Sequence, residues 1–148
     1  IDHIKLQPGV YVSRKDKVGV ETVTTFDLRL TSPNEEPVMN TAEIHTMEHL
    51  AATYLRNEPN WKEKVLYFGP MGCQTGFYLL TRGLSPERVK KALLQALRAT
   101  LTHSGPMFGS TRKECGNFEN LSIDDAKKEC ASYIIALEGK TGGFEYAE

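Results

Sequence analysis

The chain has 148 residues, enough for one compact domain with its own hydrophobic core and too few for two. Hydrophobic residues make up 40% and charged ones 25%, and 18 basic residues against 19 acidic ones leave a net charge of -1, which provides no basic footprint for nucleic acid or an anionic membrane. The longest apolar runs, residues 77–80 and 133–137, are too short to span a bilayer and no signal-peptide pattern opens the chain, so a cytoplasmic location is expected.

Residues 20–30 are β-like and their end alternates, with Phe26, Leu28 and Leu30 on one face and Asp27 and Arg29 on the other. This predicts a half-buried strand on which Arg29 is a solvated charge. Residues 32–37 form a loop on composition, after which Asn40 or Thr41 caps a helix running to about Asn57, with Glu43 completing a capping box with Asn40. Pro59 ends that helix. Residues 64–68 then read as a short strand leading into the turn Gly69-Pro70-Met71-Gly72-Cys73, and residues 76–81 as another. Ser85-Pro86-Glu87 combines a capping hydroxyl, a proline at the first helical position and an early acid, and predicts a helix to about Leu101. A glycine- and proline-containing loop over residues 103–116 separates it from a last helix, which starts near Ser122, carries Asp125 at the capping-box position and stops at Gly139. Strands and helices interleave without a βαβ rhythm. The expected fold is therefore α+β, a single domain over residues 1–148 with an antiparallel sheet and helices packed on one face.

In Ile44-His45-Thr46-Met47-Glu48-His49-Leu50 two histidines stand four apart, about one helical turn. His45, Glu48 and His49 share one arc, while Met47, Leu50, Ala51 and Tyr54 lie opposite. Neutral imidazoles so placed suit zinc or ferrous iron, and Glu48 is left beside the ion to move protons. A solvated face of an amphipathic helix would show the same polar arc, so the reading depends on a third ligand. Cys115, in Glu114-Cys115-Gly116-Asn117, supplies one from a glycine-flanked loop. A His, His, Cys set leaves one coordination position open, as catalysis requires.

Three cysteines at wide spacing, in a chain long enough to fold without staples, argue against a disulfide framework. Cys73 sits in the glycine-rich turn Gly69-Pro70-Met71-Gly72-Cys73-Gln74-Thr75-Gly76, as an exposed proton shuttle or as a small turn filler. Cys130 lines up with Ile123, Ala126, Ile134 and Leu137 at helical spacing and belongs to the core. His103, at the end of the second helix, is assigned a structural role. Spacing says nothing about His3.

The sequence motif has the reverse order of the His-Glu-x-x-His zinc motif, so an inverted-motif metallopeptidase, with Glu114 or Glu119 as third ligand, is one alternative. A structural metal domain closed by a fourth ligand, Cys73, is another. Taken together, however, the segments from Ile44 to Leu50, from Gly69 to Leu79 and from Glu114 to Asn117 resemble the S-ribosylhomocysteine lyase (LuxS) family, and Asp2-His3, Phe26-Asp27-Leu28-Arg29 and residues 121–127 also match family positions. The resemblance implies a homodimeric α+β enzyme with active sites at the subunit interface. It would convert S-ribosylhomocysteine to homocysteine and 4,5-dihydroxy-2,3-pentanedione, the precursor of autoinducer-2. His45, His49 and Cys115 would hold a divalent ion, ferrous iron with zinc or cobalt as substitutes. Cys73 and Glu48 would move protons, and His3 and Arg29 would contact substrate. Two departures stand out. A Ser-Phe pair that the family carries just ahead of the opening segment lies outside this sequence, and Tyr67 stands where relatives often place an aspartate.

Overall fold

The computed structural model describes residues 1–56, 58–59, 61–104, 111–117, 119–140 and 143–147. The expected end of the first helix at Asn57 and the middle of the 103–116 loop lie outside them. Four strands and three helices follow in the order β1 (Gly9–Val18), β2 (Glu21–Arg29), α1 (Thr41–Arg56), β3 (Val65–Pro70), β4 (Gly76–Arg82), α2 (Pro86–Thr102) and α3 (Ile123–Gly139). The strands form one antiparallel sheet in the order β1-β2-β4-β3, with the three helices packed together against it, which is the α+β arrangement expected.

The core lies between sheet and helices. Val10, Phe26, Leu28, Phe77 and Leu79 face Met47, Ala51, Leu93, Leu97, Cys130 and Leu137, all buried. Burying such a side chain contributes roughly 1.5–3 kcal/mol, so the apolar stripes of the helices fix where their polar faces must point.

β1 is an element that the reading of residues 20–30 as the first strand overlooked. Its outer half, residues 14–18, is mostly exposed and carries Arg14, Lys15, Asp16 and Lys17, so charge hides the short apolar start at Val10-Tyr11-Val12. β1 and β2 are joined at Gly19, whose φ of 63° is a conformation glycine adopts without strain. β3 runs two residues further than its predicted end, so Gly69 and Pro70 belong to the strand and the turn begins at Met71.

The α1 cap forms as expected. Glu43 N–H donates to Asn40 Oδ1 at 2.8 Å, and Asn40 N–H donates to Glu43 Oε1 at 3.2 Å. The box expected at Ser122 does not. Ser122 N–H is taken by Thr46 Oγ1 of α1 at 2.6 Å, and the Ser122 hydroxyl donates to Asp125 at 3.0 Å instead. A tertiary partner has displaced the local one.

The larger correction concerns Arg29. It is 3% exposed, and Asp27 beside it is 1% exposed. Alternation placed both on the second face of the sheet correctly, but that face is not open to water here. The C-terminal segment covers it, anchored where Val12 N–H donates to the Phe144 carbonyl at 2.7 Å, with Tyr146 stacked on Tyr11. The backbone neighbours of Arg29 across β1 and β4 are Gly9 and Gly76, so no side chain on either strand competes for the space above it.

Candidate active site

α1 turns its apolar side inward, with Met47, Leu50 and Ala51 buried, and this leaves His45, Glu48 and His49 half-buried on the opposite arc. The two imidazole rings stand edge to face with centroids 4.7 Å apart. Cys115 reaches them from a turn in which its own N–H and that of Glu114 both donate to the Thr111 carbonyl. Its sulfur lies 3.2 Å from His45 Nε2 and 3.7 Å from His49 Nε2.

These separations can be tested against a metal. Donors at ordinary Zn–S and Zn–N lengths around a tetrahedral ion stand about 3.6 Å apart, and the measured pair brackets that value. The ligand atoms of His45, His49 and Cys115 all lie within 4.8 Å of one another. His45 also has the outer support that metal-binding histidines need, since its Nδ1 sits 3.0 Å from the Asn120 carbonyl, which directs the lone pair of Nε2 toward the sulfur. The donor set fits a divalent transition ion, with borderline nitrogens and a soft sulfur.

Neither alternative, the inverted-motif peptidase nor the closed structural site, gains support. Glu114 is exposed and its carboxylate accepts the Thr111 hydroxyl at 2.7 Å, and Glu119 is exposed as well. The group that stands with the two imidazoles is the Cys115 sulfur, where a peptidase ligand set would have a carboxylate. Cys73, the proposed closing ligand of a structural site, is engaged elsewhere.

Cys73 occupies the turn between β3 and β4, exposed as its glycine-rich setting suggested. The turn is rigidly held. Gln74 adopts a φ of 63°, sparsely populated for a residue with a side chain, and its carbonyl accepts Met39 N–H, while the Thr75 carbonyl accepts both Leu30 and Thr31 N–H. The Cys73 sulfur lies 3.0 Å from Thr75 Oγ1 and accepts from Arg29 Nη1 at 3.8 Å. Partial burial alone would raise the ionisation of this thiol. Hydrogen bonds from the Thr75 hydroxyl and N–H and the charge and N–H of Arg29 outweigh burial, and the net displacement is below the usual thiol range. Arg29 itself is held charged: burial acts against the cation, and the bonds and charge of Asp27 more than reverse that.

The other residues fall as follows. Cys130 is fully buried in the core, and burial with the Glu129 charge pushes its thiol up to about 12, which leaves it inert. His103 ends α2 with Nδ1 3.0 Å from the Tyr54 hydroxyl, a contact between helices. His3 is exposed in a turn at Asp2–Lys5, and Tyr67 is 47% exposed on β3 with its hydroxyl lying over Gly69. Sequence reasoning missed Thr75, Asp27 and Asn120. Only Asp27 carried a legible signal: it stands two residues from Arg29 on a strand, hence on the same face with opposite charge.

Two histidines and a cysteine gathered from one helical turn and one loop form, on an α+β scaffold, a donor set that could hold one metal ion, the kind of site found in mononuclear metalloenzymes. A family model for S-ribosylhomocysteinase (LuxS) matches residues 1–141. The chain is 51% identical over 124 residues to the S-ribosylhomocysteine lyase of Clostridium acetobutylicum, spanning 83% of this chain and 78% of the relative. It is 50% identical over 135 residues to that of Phocaeicola vulgatus (90% and 84% covered) and 47% identical over 138 residues to that of Finegoldia magna (93% and 87% covered). The chain belongs to the S-ribosylhomocysteinase (LuxS) family and is an enzyme of the carbon–sulfur lyase class.

Proposed function

We propose that this protein is a metal-dependent S-ribosylhomocysteine lyase that walks the ribose carbonyl to the third carbon and then expels homocysteine by β-elimination. The observation that carries the proposal is the convergence of His45, His49 and Cys115 on one point in a chain of this family. The second product is 4,5-dihydroxy-2,3-pentanedione, the autoinducer-2 precursor, and the released homocysteine re-enters the activated methyl cycle. The reaction balances internally, since the atoms of the two products sum to those of the substrate.

His45, His49 and Cys115 would hold one divalent ion per subunit, ferrous iron being the expected occupant with zinc or cobalt as substitutes. When bound, the ion supplies Lewis-acid stabilisation of negative charge on sugar oxygens. Carbonyl migration requires a base that takes a proton from one carbon and returns it to the next. Cys73 suits this because Thr75 and Arg29 favour its thiolate. Glu48, on the same arc of α1 as the two histidines, serves the hydroxyl protons and the proton removed in the elimination. Arg29 and His3 are read as substrate contacts. The working unit is a cytoplasmic homodimer of one-domain subunits with its active sites at the interface, and the exposure of Cys73 leaves that thiol available to a second copy.

The test is to incubate purified protein with S-ribosylhomocysteine and follow free thiol, with and without a chelator. Release is expected only from the metal-loaded protein. Cys73→Ala and Glu48→Gln should retain the metal and lose turnover by at least about 100-fold, the range of a general acid or base. Homocysteine release surviving either substitution contradicts that residue's role.

A further inference from the structure

On the second face of the sheet a chain of contacts runs from the C-terminal segment to Cys73. The Phe144 carbonyl accepts Val12 N–H at 2.7 Å, which moors the segment to the edge of β1. Two residues on, the Tyr146 ring stacks on Tyr11 with centroids 5.1 Å apart and planes inclined by 18°. Its hydroxyl donates to Asp27 Oδ2 at 2.7 Å. The same carboxylate grips Arg29 at two points, Nη2 to Oδ2 at 2.7 Å and Nε to Oδ1 at 3.1 Å. With those two nitrogens engaged, Nη1 is directed to Thr75 Oγ1 at 2.7 Å and to the Cys73 sulfur at 3.8 Å.

We propose that Tyr146 is a positioning residue, which through Asp27 aims the Arg29 guanidinium at Cys73. The proposal rests on the reading of Cys73 as the proton carrier. Tyr146 lies beyond residues 1–141, the part of the chain that the family model matches. Two physical effects act together. A bidentate guanidinium–carboxylate pair is planar, so whatever fixes the carboxylate fixes the direction of the remaining N–H groups. Asp27 and Arg29 are 1% and 3% exposed, so water does not replace a lost protein donor on Oδ2. A donor on that oxygen also draws off part of the charge that holds the guanidinium back, and leaves more of the cation's field for the sulfur. Tyr146 remains a donor at neutral pH, because burial raises its ionisation more than the bond with Ser13 at the β1 bulge lowers it, and the bond to Asp27 and the Asp27 charge raise it further against the Arg29 charge.

Tyr146→Phe keeps the stacked ring and removes only the donor. The measurement is the pH profile of Cys73 alkylation by iodoacetamide, followed on the Cys73 peptide by mass spectrometry in wild type, Tyr146→Phe and Arg29→Gln. A midpoint records thiolate formation, which mere loosening of the segment would not move. The midpoint is expected to rise by about half a unit in Tyr146→Phe and further in Arg29→Gln. Homocysteine release at pH 7 should fall about threefold in kcat with KM unchanged. Superimposed profiles for Tyr146→Phe and wild type overturn the proposal, and so does an unmoved profile for Arg29→Gln. A raised midpoint beside a wild type that releases no homocysteine supports the positioning and removes the lyase reading, so the two fail separately.

Discussion

His45 is bound at both ends of its ring, Nδ1 to the Asn120 carbonyl and Nε2 toward the Cys115 sulfur. Such a ring pays little orientational entropy on meeting an ion, so the three donors should act as one unit. His45→Ala, His49→Ala and Cys115→Ala are each expected to take metal content from about one ion per chain to near zero, measured by elemental analysis of the purified protein. Retention of the ion by Cys115→Ala would instead favour a carboxylate ligand of the peptidase kind. The convergence of these three donors was legible because helical spacing and a glycine-flanked loop are local signals. The burial of Arg29 was not, since it depends on Tyr146, 119 positions from Asp27. Asn120 was equally hidden, for it contributes a backbone carbonyl that any residue would possess.

At the scale of elements, α1 holds its place partly through Thr46, which is fully buried and accepts Ser122 N–H at 2.6 Å. That bond ties the helix of His45 and His49 to the residues that follow Cys115 and open α3. Thr46→Val keeps the shape and leaves the Ser122 N–H without its acceptor, and is expected to destabilise the protein by about 1–3 kcal/mol, measured by denaturant unfolding. An unchanged midpoint would mean that water or another acceptor serves Ser122. The helices could be placed from sequence because their caps and apolar periods are strong, and α2 begins at Pro86 as Ser85-Pro86-Glu87 indicated. β1 could not, because only its first half faces the core and its pairing with β2 shifts register between Val12 and Arg14. A strand with a bulge and a charged outer half shows neither alternation nor an apolar run.

Over the whole molecule, stability should respond to an acidic meeting point between α1, α3 and the loop before α1. Burial, a hydrogen bond with Glu43 and the charges of Glu43 and Glu36 push the Glu129 carboxyl from 4.5 up to about 7. The folded protein therefore holds a proton that the unfolded chain has released between those values. Its contribution is present in full below pH 4.5 and is lost as pH rises through about 7. Glu129→Gln should flatten that decline and leave the variant more stable than wild type above pH 7 by roughly 1 kcal/mol, after allowance for solvent screening of a half-buried group. Thermal melting at pH 5 and pH 8 checks this, and an equal pH slope in both proteins would contradict it. The distribution of the metal donors along the chain has a different kind of consequence. Two come from a single turn of α1 and the third from a loop 66 and 70 residues onward. The centre is thus not portable: a peptide cut from α1 offers two imidazole nitrogens and no thiol, and grafting the short histidine motif into another scaffold would transfer the spelling without the chemistry.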